Sequence, residues 1–123
     1  MIEDFFEILS RDAQDEKTVW KVRLLLDSSI YKVHFPGTPI TPGACQLEIV
    51  RALAVKEQGM PLEITSVKNI KYLQIVDPLV CDTIEVSETF KPMEDGTLKC
   101  SAVISEGEAV MTKVSLVLKK QSF

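Results

Sequence analysis

Residues 34–48 constrain this chain more than any other stretch of its sequence. They contain three of the six prolines, two of the five glycines and the single histidine among 123 residues. Each proline fixes its own φ at about −65° and disfavours a helical conformation of the residue before it. The stretch therefore predicts a stiff, non-helical loop that continues directly into the next segment at Gly43.

The segment after this loop predicts one long helix that begins near Gly43. Apolar residues fill almost all of it before Lys56, and the Gly-Met-Pro sequence at 59–61 is typical of a helix end. A helix that is apolar on every face is expected to be buried. Glu48 is a costly residue in such a helix unless it is paired or protonated.

The other segments predict strands, and two turn sequences lie between them. Asp-Gly at 95–96 and Glu-Gly at 106–107 are hairpin signals, whereas residues 4–14 fit either a strand or a short helix. The predicted strands are 18–26, 63–76, 80–91, 97–105 and 108–119. Together they predict an α+β fold, an antiparallel sheet with one buried helix, in one domain over residues 1–123.

Charge and composition exclude several classes of function. The net charge is −4 and there is no basic block, which argues against a nucleic-acid partner. No apolar run approaches the roughly 20 residues of a membrane span. The acidic N-terminus lacks the basic start of a secretory signal, so we expect a cytoplasmic protein. Cys45, Cys81 and Cys100 lack metal-ligand spacing and are expected to be reduced thiols.

Two side chains in the 34–48 stretch are candidates for proton transfer. His34 titrates near neutrality and suits a general base, although a lone histidine is more often structural. For Glu48, two interpretations are about equally supported. An apolar site would keep the carboxyl neutral as a proton donor, whereas Arg51 at i+3 would form an ion pair with it.

Gly43 adds a third chemical feature at the start of the predicted helix. The first N–H groups of a helix have no intrahelical partner, and a glycine there lets a carbonyl oxygen approach closely. Such a site would polarise a thioester carbonyl and stabilise an enolate. A base, an acid and this oxyanion site together suit loss of water from a 3-hydroxyacyl thioester, and they also suit thioester hydrolysis.

At this point a family resemblance becomes specific. The stretch resembles the active-site signature of the hot-dog-fold 3-hydroxyacyl-[acyl-carrier-protein] dehydratases of fatty acid synthesis, including the fourteen-residue spacing between histidine and acid. The matching residues are His34, Phe35, Pro36, Gly37, Pro39, Pro42, Gly43, Gln46 and Glu48.

The resemblance implies a long central helix wrapped by an antiparallel sheet, and a homodimer with composite active sites. His34 of one subunit would take the α-proton and face Glu48 of the other. Glu48 would help the hydroxyl leave as water, or would orient it while His34 returns the proton. The N–H of Gly43 would hold the thioester oxygen, with no cofactor and no metal. The resemblance also implies an acyl carrier protein as partner. The implied substrate-binding residues are Phe35, Pro36, Gly37, Pro42 and Ala44.

The chain departs from this family pattern at several positions. Val33 stands where the dehydratases usually have glycine, and Ala44 and Cys45 replace bulkier aliphatic residues. Leu73 and Gln74 stand where family members often carry arginines that meet the acidic carrier protein. Two alternatives therefore stay open beside the dehydratase: a hot-dog acyl thioesterase, and an acyl-binding hot-dog subunit without catalytic activity.

Overall fold

The computed structural model describes residues 5–28 and 41–121. Within these ranges it contains one long helix and six strands. The helix, α1, spans Gly43–Gln58. The strands are β1 (Phe6–Ala13), β2 (Thr18–Leu24), β3 (Leu62–Tyr72), β4 (Thr83–Pro92), β5 (Leu98–Glu106) and β6 (Ala109–Lys120).

The six strands form one antiparallel sheet in the order β1-β2-β4-β5-β6-β3. The α+β prediction is confirmed, and the undecided segment 4–14 contains strand β1. Residues alternate between buried and exposed along β2, and Trp20, Val22 and Leu24 point into the core. The predicted hairpin turns contain Gly96 and Gly107.

Strand β3 is shorter than the sequence predicts. It ends at Tyr72 instead of residue 76, because the N–H groups of Leu73 and Gln74 both donate to one acceptor, the carbonyl of Met111. That arrangement breaks the regular ladder with β6. Residues 73–76 then pass the start of α1, where the N–H of Thr41 donates to the Val76 carbonyl at 2.8 Å.

Helix α1 ends as the sequence predicts but is not buried on every face. Gly59 follows it in the left-handed conformation (φ 69°), and its N–H donates to the carbonyl of Val55. The sheet covers one side of the helix and leaves the other partly exposed, so the prediction of complete burial is wrong for the single chain. The buried helical residues are Cys45, Gln46, Ile49, Val50, Leu53 and Ala54. Across the described ranges, no helix is long and apolar enough to cross a membrane.

Candidate active site

A pocket of about 280 Å³ lies at the N-terminal end of α1. The first residues of the helix form one wall, and the chain that leaves β3 forms the other. The pocket is lined by Thr41, Pro42, Gly43, Gln46, Tyr72, Leu73, Gln74, Ile75 and Val76. Pro42 and Gly43 are therefore two predicted site residues that the structure brings together here.

The side chain of Tyr72 lies directly against Gly43. A Cβ atom at Gly43 would clash with the phenol oxygen of Tyr72 and would lie 2.6 Å from its Cζ. The tyrosine ring therefore occupies the space that any other side chain would need. Partial burial raises the pKa of Tyr72, and its hydroxyl can donate a hydrogen bond. The sequence contained no signal for this contact between distant residues.

The start of α1 presents backbone donors to the pocket. Pro42 is the N-cap residue and provides no side-chain cap. Its carbonyl accepts hydrogen bonds from the N–H groups of Cys45 and Gln46, both at 3.0 Å. The N–H of Gly43 belongs to the first turn of the helix, where N–H groups have no intrahelical partner. The positive end of the helix dipole lies beside it. This end of the pocket therefore favours a carbonyl oxygen or another partly negative atom.

Gln46 joins the pocket to the sheet through its buried side-chain amide. Its Nε2 donates to the carbonyl of Thr41 at 3.2 Å, and its Oε1 accepts from the hydroxyl of Thr112 at 2.6 Å. All three residues are buried. In the sequence, Gln46 was notable only as a polar residue in an apolar helix and as one residue that matches the active-site signature of the dehydratases.

Glu48 forms the ion pair that was one of its two predicted interpretations. The Arg51 guanidinium donates to both carboxylate oxygens, at 2.9 Å from Nε and 2.5 Å from Nη2. A third bond from Arg51 Nη1 reaches the carbonyl of Leu62 at 3.0 Å and ties the pair to β3. The Glu48 side chain is 21% exposed. In the single chain, an ion pair accounts for a carboxylate in this apolar helix.

Glu48 does not line the Gly43 pocket. Five residues correspond to a rotation of about 140° around the helix, so Glu48 and Gly43 project from different sides of α1. Ala44, a predicted substrate-binding residue, is exposed and also lies outside this pocket. The other predicted site residues, His34, Phe35, Pro36 and Gly37, lie outside the described residues.

Cys45 is not arranged as a nucleophile. It is buried beside Glu48, and burial, followed by the charge of that carboxylate, raises the pKa of its thiol. A raised pKa reduces the thiolate fraction at neutral pH. Among residues 5–28 and 41–121 no cluster of three metal-binding side chains is found.

Comparison with known families finds a match to a dehydratase family. A family model described as ApeI-like, ApeI dehydratase, matches residues 10–113. The 3-hydroxyacyl-[acyl-carrier-protein] dehydratase FabZ of Lactiplantibacillus plantarum is 24% identical over 130 residues, which cover 96% of this chain and 88% of that protein.

Solved structures confirm the hot-dog fold. A chain of the dehydratase heterocomplex ApeI:P from Xenorhabdus doucetiae superposes with a TM-score of 0.73 at 15% identity, covering 93% of this chain and 97% of that one. A hypothetical thioesterase protein with coenzyme A from Streptococcus pneumoniae gives a TM-score of 0.63 at 14% identity, covering 98% and 94%. At these identities the structural similarity establishes the fold alone.

Proposed function

We propose that this chain, which belongs to the ApeI-like dehydratase family, removes water from a 3-hydroxyacyl thioester to give the trans-2-enoyl thioester. The observation that carries the proposal is the Gly43 pocket, where an uncapped helix start faces a cavity with apolar walls. This pocket occurs in a chain that matches a dehydratase model over residues 10–113.

In the proposed reaction, the N–H of Gly43 donates a hydrogen bond to the thioester oxygen. His34 takes the α-proton, and the electron pair of that C–H bond forms an enolate that the hydrogen bond stabilises. The enolate then forms the α–β double bond as the β carbon–oxygen bond breaks. The leaving hydroxyl takes a proton from His34 and departs as water, which returns the histidine to its starting state.

We assign Glu48 an orienting role in this sequence. The sequence left it either a neutral proton donor or one member of an ion pair, and Arg51 donates two hydrogen bonds to it. Both carboxyl oxygens of Glu48 thus act as hydrogen-bond acceptors. Glu48 therefore holds the substrate hydroxyl or the imidazole in place, while His34 returns the proton.

A homodimer with composite sites is supported by two features of the chain. Gly43 and Glu48 project from different sides of α1. The apolar helical residues Leu47, Ala52 and Val55 remain partly exposed, although Leu47 and Val55 also pack against the core. Strand β3 lies at one end of the sheet order, so its outer edge is unpaired within the described residues. A second copy would cover both features and bring another 34–48 stretch to the site.

An acyl carrier protein is the proposed carrier of the substrate. It is the carrier named for the FabZ relatives, and it places the proposed reaction in fatty acid or related acyl-chain biosynthesis. The apolar walls of the pocket, such as Ile75 and Val76, suit an acyl chain. Comparing the turnover of carrier-protein, coenzyme A and pantetheine thioesters of one acid measures the carrier preference.

The test is direct assay of the purified protein with a 3-hydroxyacyl thioester. Formation of the conjugated enoyl product is followed by its near-ultraviolet absorbance. His34→Ala is expected to abolish the reaction, whereas Lys91→Ala, at an exposed position on β4, should leave it unchanged. Full activity of His34→Ala would overturn the mechanism.

Thioester hydrolysis is the second candidate, because the same fold occurs in the hypothetical thioesterase protein of Streptococcus pneumoniae. In that reaction Glu48 would direct a water molecule at the carbonyl held by Gly43. Release of free thiol without an enoyl product would favour hydrolysis. Tight binding of acyl thioesters without either product would favour the non-catalytic subunit.

A further inference from the structure

We infer that Gln46 is a positioning residue for the proposed dehydration, which fixes the Gly43 backbone and the opposite pocket wall relative to each other. The inference rests on the proposed function for its role in turnover. Its structural basis is the buried hydrogen-bond chain that runs from Thr41 through Gln46 to Thr112.

Gln46 holds both residues that precede Gly43. Its side-chain amide donates to the carbonyl of Thr41, and its own backbone N–H donates to the carbonyl of Pro42 at 3.0 Å. Thr41 is also held from the other side, since its N–H donates to the carbonyl of Val76. With Thr41 bonded on two sides and the φ of Pro42 fixed by its ring, the Gly43 N–H has little freedom to move.

The side-chain oxygen of Gln46 reaches the sheet next to the end of β3, which forms the opposite wall of the pocket. Thr112 on β6 donates to Gln46 Oε1 and lies directly opposite Tyr72 in the pairing of β6 with β3. The phenol of Tyr72 covers Gly43. One side chain therefore connects the two walls of the pocket, the start of α1 and the end of β3.

A purely space-filling role would not require an amide at this position. Gln46 is 4% exposed in a helix whose other buried residues are apolar, and methionine would fill a similar volume without polar atoms. Removing one partner of a buried hydrogen bond leaves the other unsatisfied and costs about 1–3 kcal/mol. The amide is thus confined to one geometry, which suits a group that must place a backbone donor accurately.

The experiment compares Thr112→Val, Thr112→Ser and Gln46→Met in the dehydration assay. Thr112 does not line the pocket, and its hydroxyl reaches the site through its hydrogen bond to Gln46. Thr112→Val removes the hydroxyl that holds the amide, and we expect kcat to fall about 10- to 100-fold while KM stays within about twofold. Thr112→Ser keeps the hydroxyl and should restore most of kcat. Gln46→Met should resemble Thr112→Val.

Ile84→Val on β4 is the control for loss of stability, because it removes one core methyl group away from the pocket. It should lower the unfolding midpoint without lowering kcat. If Thr112→Val and Gln46→Met keep kcat within about twofold of the wild type, or if Ile84→Val loses as much, the positioning role is wrong.

A second readout separates this inference from the proposed reaction. The ¹³C shift of the carbonyl in a bound acyl pantetheine amide reports the hydrogen bond from Gly43 without any turnover. We expect the downfield displacement in the wild type to shrink in Thr112→Val and to return in Thr112→Ser. Absence of enoyl product in the wild type would refute the dehydratase proposal alone. An unchanged carbonyl shift in Thr112→Val would refute the role of Gln46.

Discussion

Replacing Glu88 with glutamine is expected to stabilise this protein, and the gain should grow with pH. Glu88 lies on β4 opposite Thr18 of β2 and is only 1% exposed. Its carboxyl oxygens make no hydrogen bond of good geometry among the described residues, although the indole of Trp20 lies close to them. Burial, reinforced by the negative charge of Glu57 and partly offset by the indole of Trp20, raises the pKa of Glu88 from 4.5 to about 8.

The magnitude follows from the linkage between proton binding and folding. Below pH 4.5 the Glu88 carboxyl is protonated in both the folded and the unfolded chain, so it adds no pH dependence. Between pH 4.5 and about 8 the unfolded chain loses this proton while the folded chain keeps it. Stability therefore falls by about 1.4 kcal/mol per pH unit across this window, which amounts to roughly 3 kcal/mol by pH 7.

The assay is urea unfolding of wild type and Glu88→Gln at pH 5, 6, 7 and 8 and at one protein concentration. Trp20 is the single tryptophan, and its fluorescence reports unfolding of the same part of the core. The two proteins should differ little at pH 5, and the difference should widen by about 1.4 kcal/mol per unit up to about pH 8. The amide keeps the shape of the carboxyl and does not titrate.

Glu85→Gln is the matched control, because it removes the same charge from the same strand. Glu85 lies three residues before Glu88, so it projects from the opposite face of β4, beside Lys21 of β2. Its stability curve should run parallel to that of the wild type. If the curve of Glu88→Gln is also parallel to the wild type between pH 5 and 8, the carboxyl does not carry the raised pKa and the reasoning fails.

Three further predictions concern the helix and one turn. Gly43→Ala should displace the flexible, 52% exposed side chain of Tyr72, so activity should fall while the thermal midpoint changes little; an unchanged rate would contradict the tight contact. Arg51→Met should free the carboxylate of Glu48 and lower the free energy of unfolding by about 1–3 kcal/mol, measured in urea at pH 7, with a larger loss than Arg51→Lys. Gly96→Ala should cost about 1 kcal/mol because residue 96 has a φ of 88°; equal stability in thermal unfolding would rule out the strained turn.

Local sequence patterns predicted the elements of this fold because short-range chemistry sets their ends. A glycine and a proline end the helix near residue 59, and an Asp-Gly pair places the turn at 95–96. Strand β3 was predicted too long because its end depends on Met111, a distant residue whose carbonyl takes two N–H groups. Contacts between distant segments of the chain leave no local pattern.

The candidate site also combines residues that local patterns predicted with contacts between distant segments that they could not predict. Gly43 and Pro42 were predicted from the sequence, and both line the pocket. The contact between Tyr72 and Gly43 was not predictable, because it depends on how β3 ends relative to the helix. Glu88 had a weak signal, since its alternation with Ile84 and Val86 places it on the buried face. The pattern could not indicate that its oxygens make no hydrogen bond of good geometry among the described residues.

The ion pair of Glu48 resolves why a carboxylate lies on the uncovered side of an apolar helix. An unpaired charge there would oppose any partner that buries this side, since removing a lone carboxylate from water is strongly unfavourable. Arg51 already satisfies both oxygens and is itself held by the carbonyl of Leu62. Burial in the proposed dimer would therefore leave neither the Glu48 nor the Arg51 charge unpaired. The pair and the proposed catalytic role are compatible, because the pairing lets an oriented carboxylate remain beside an apolar substrate.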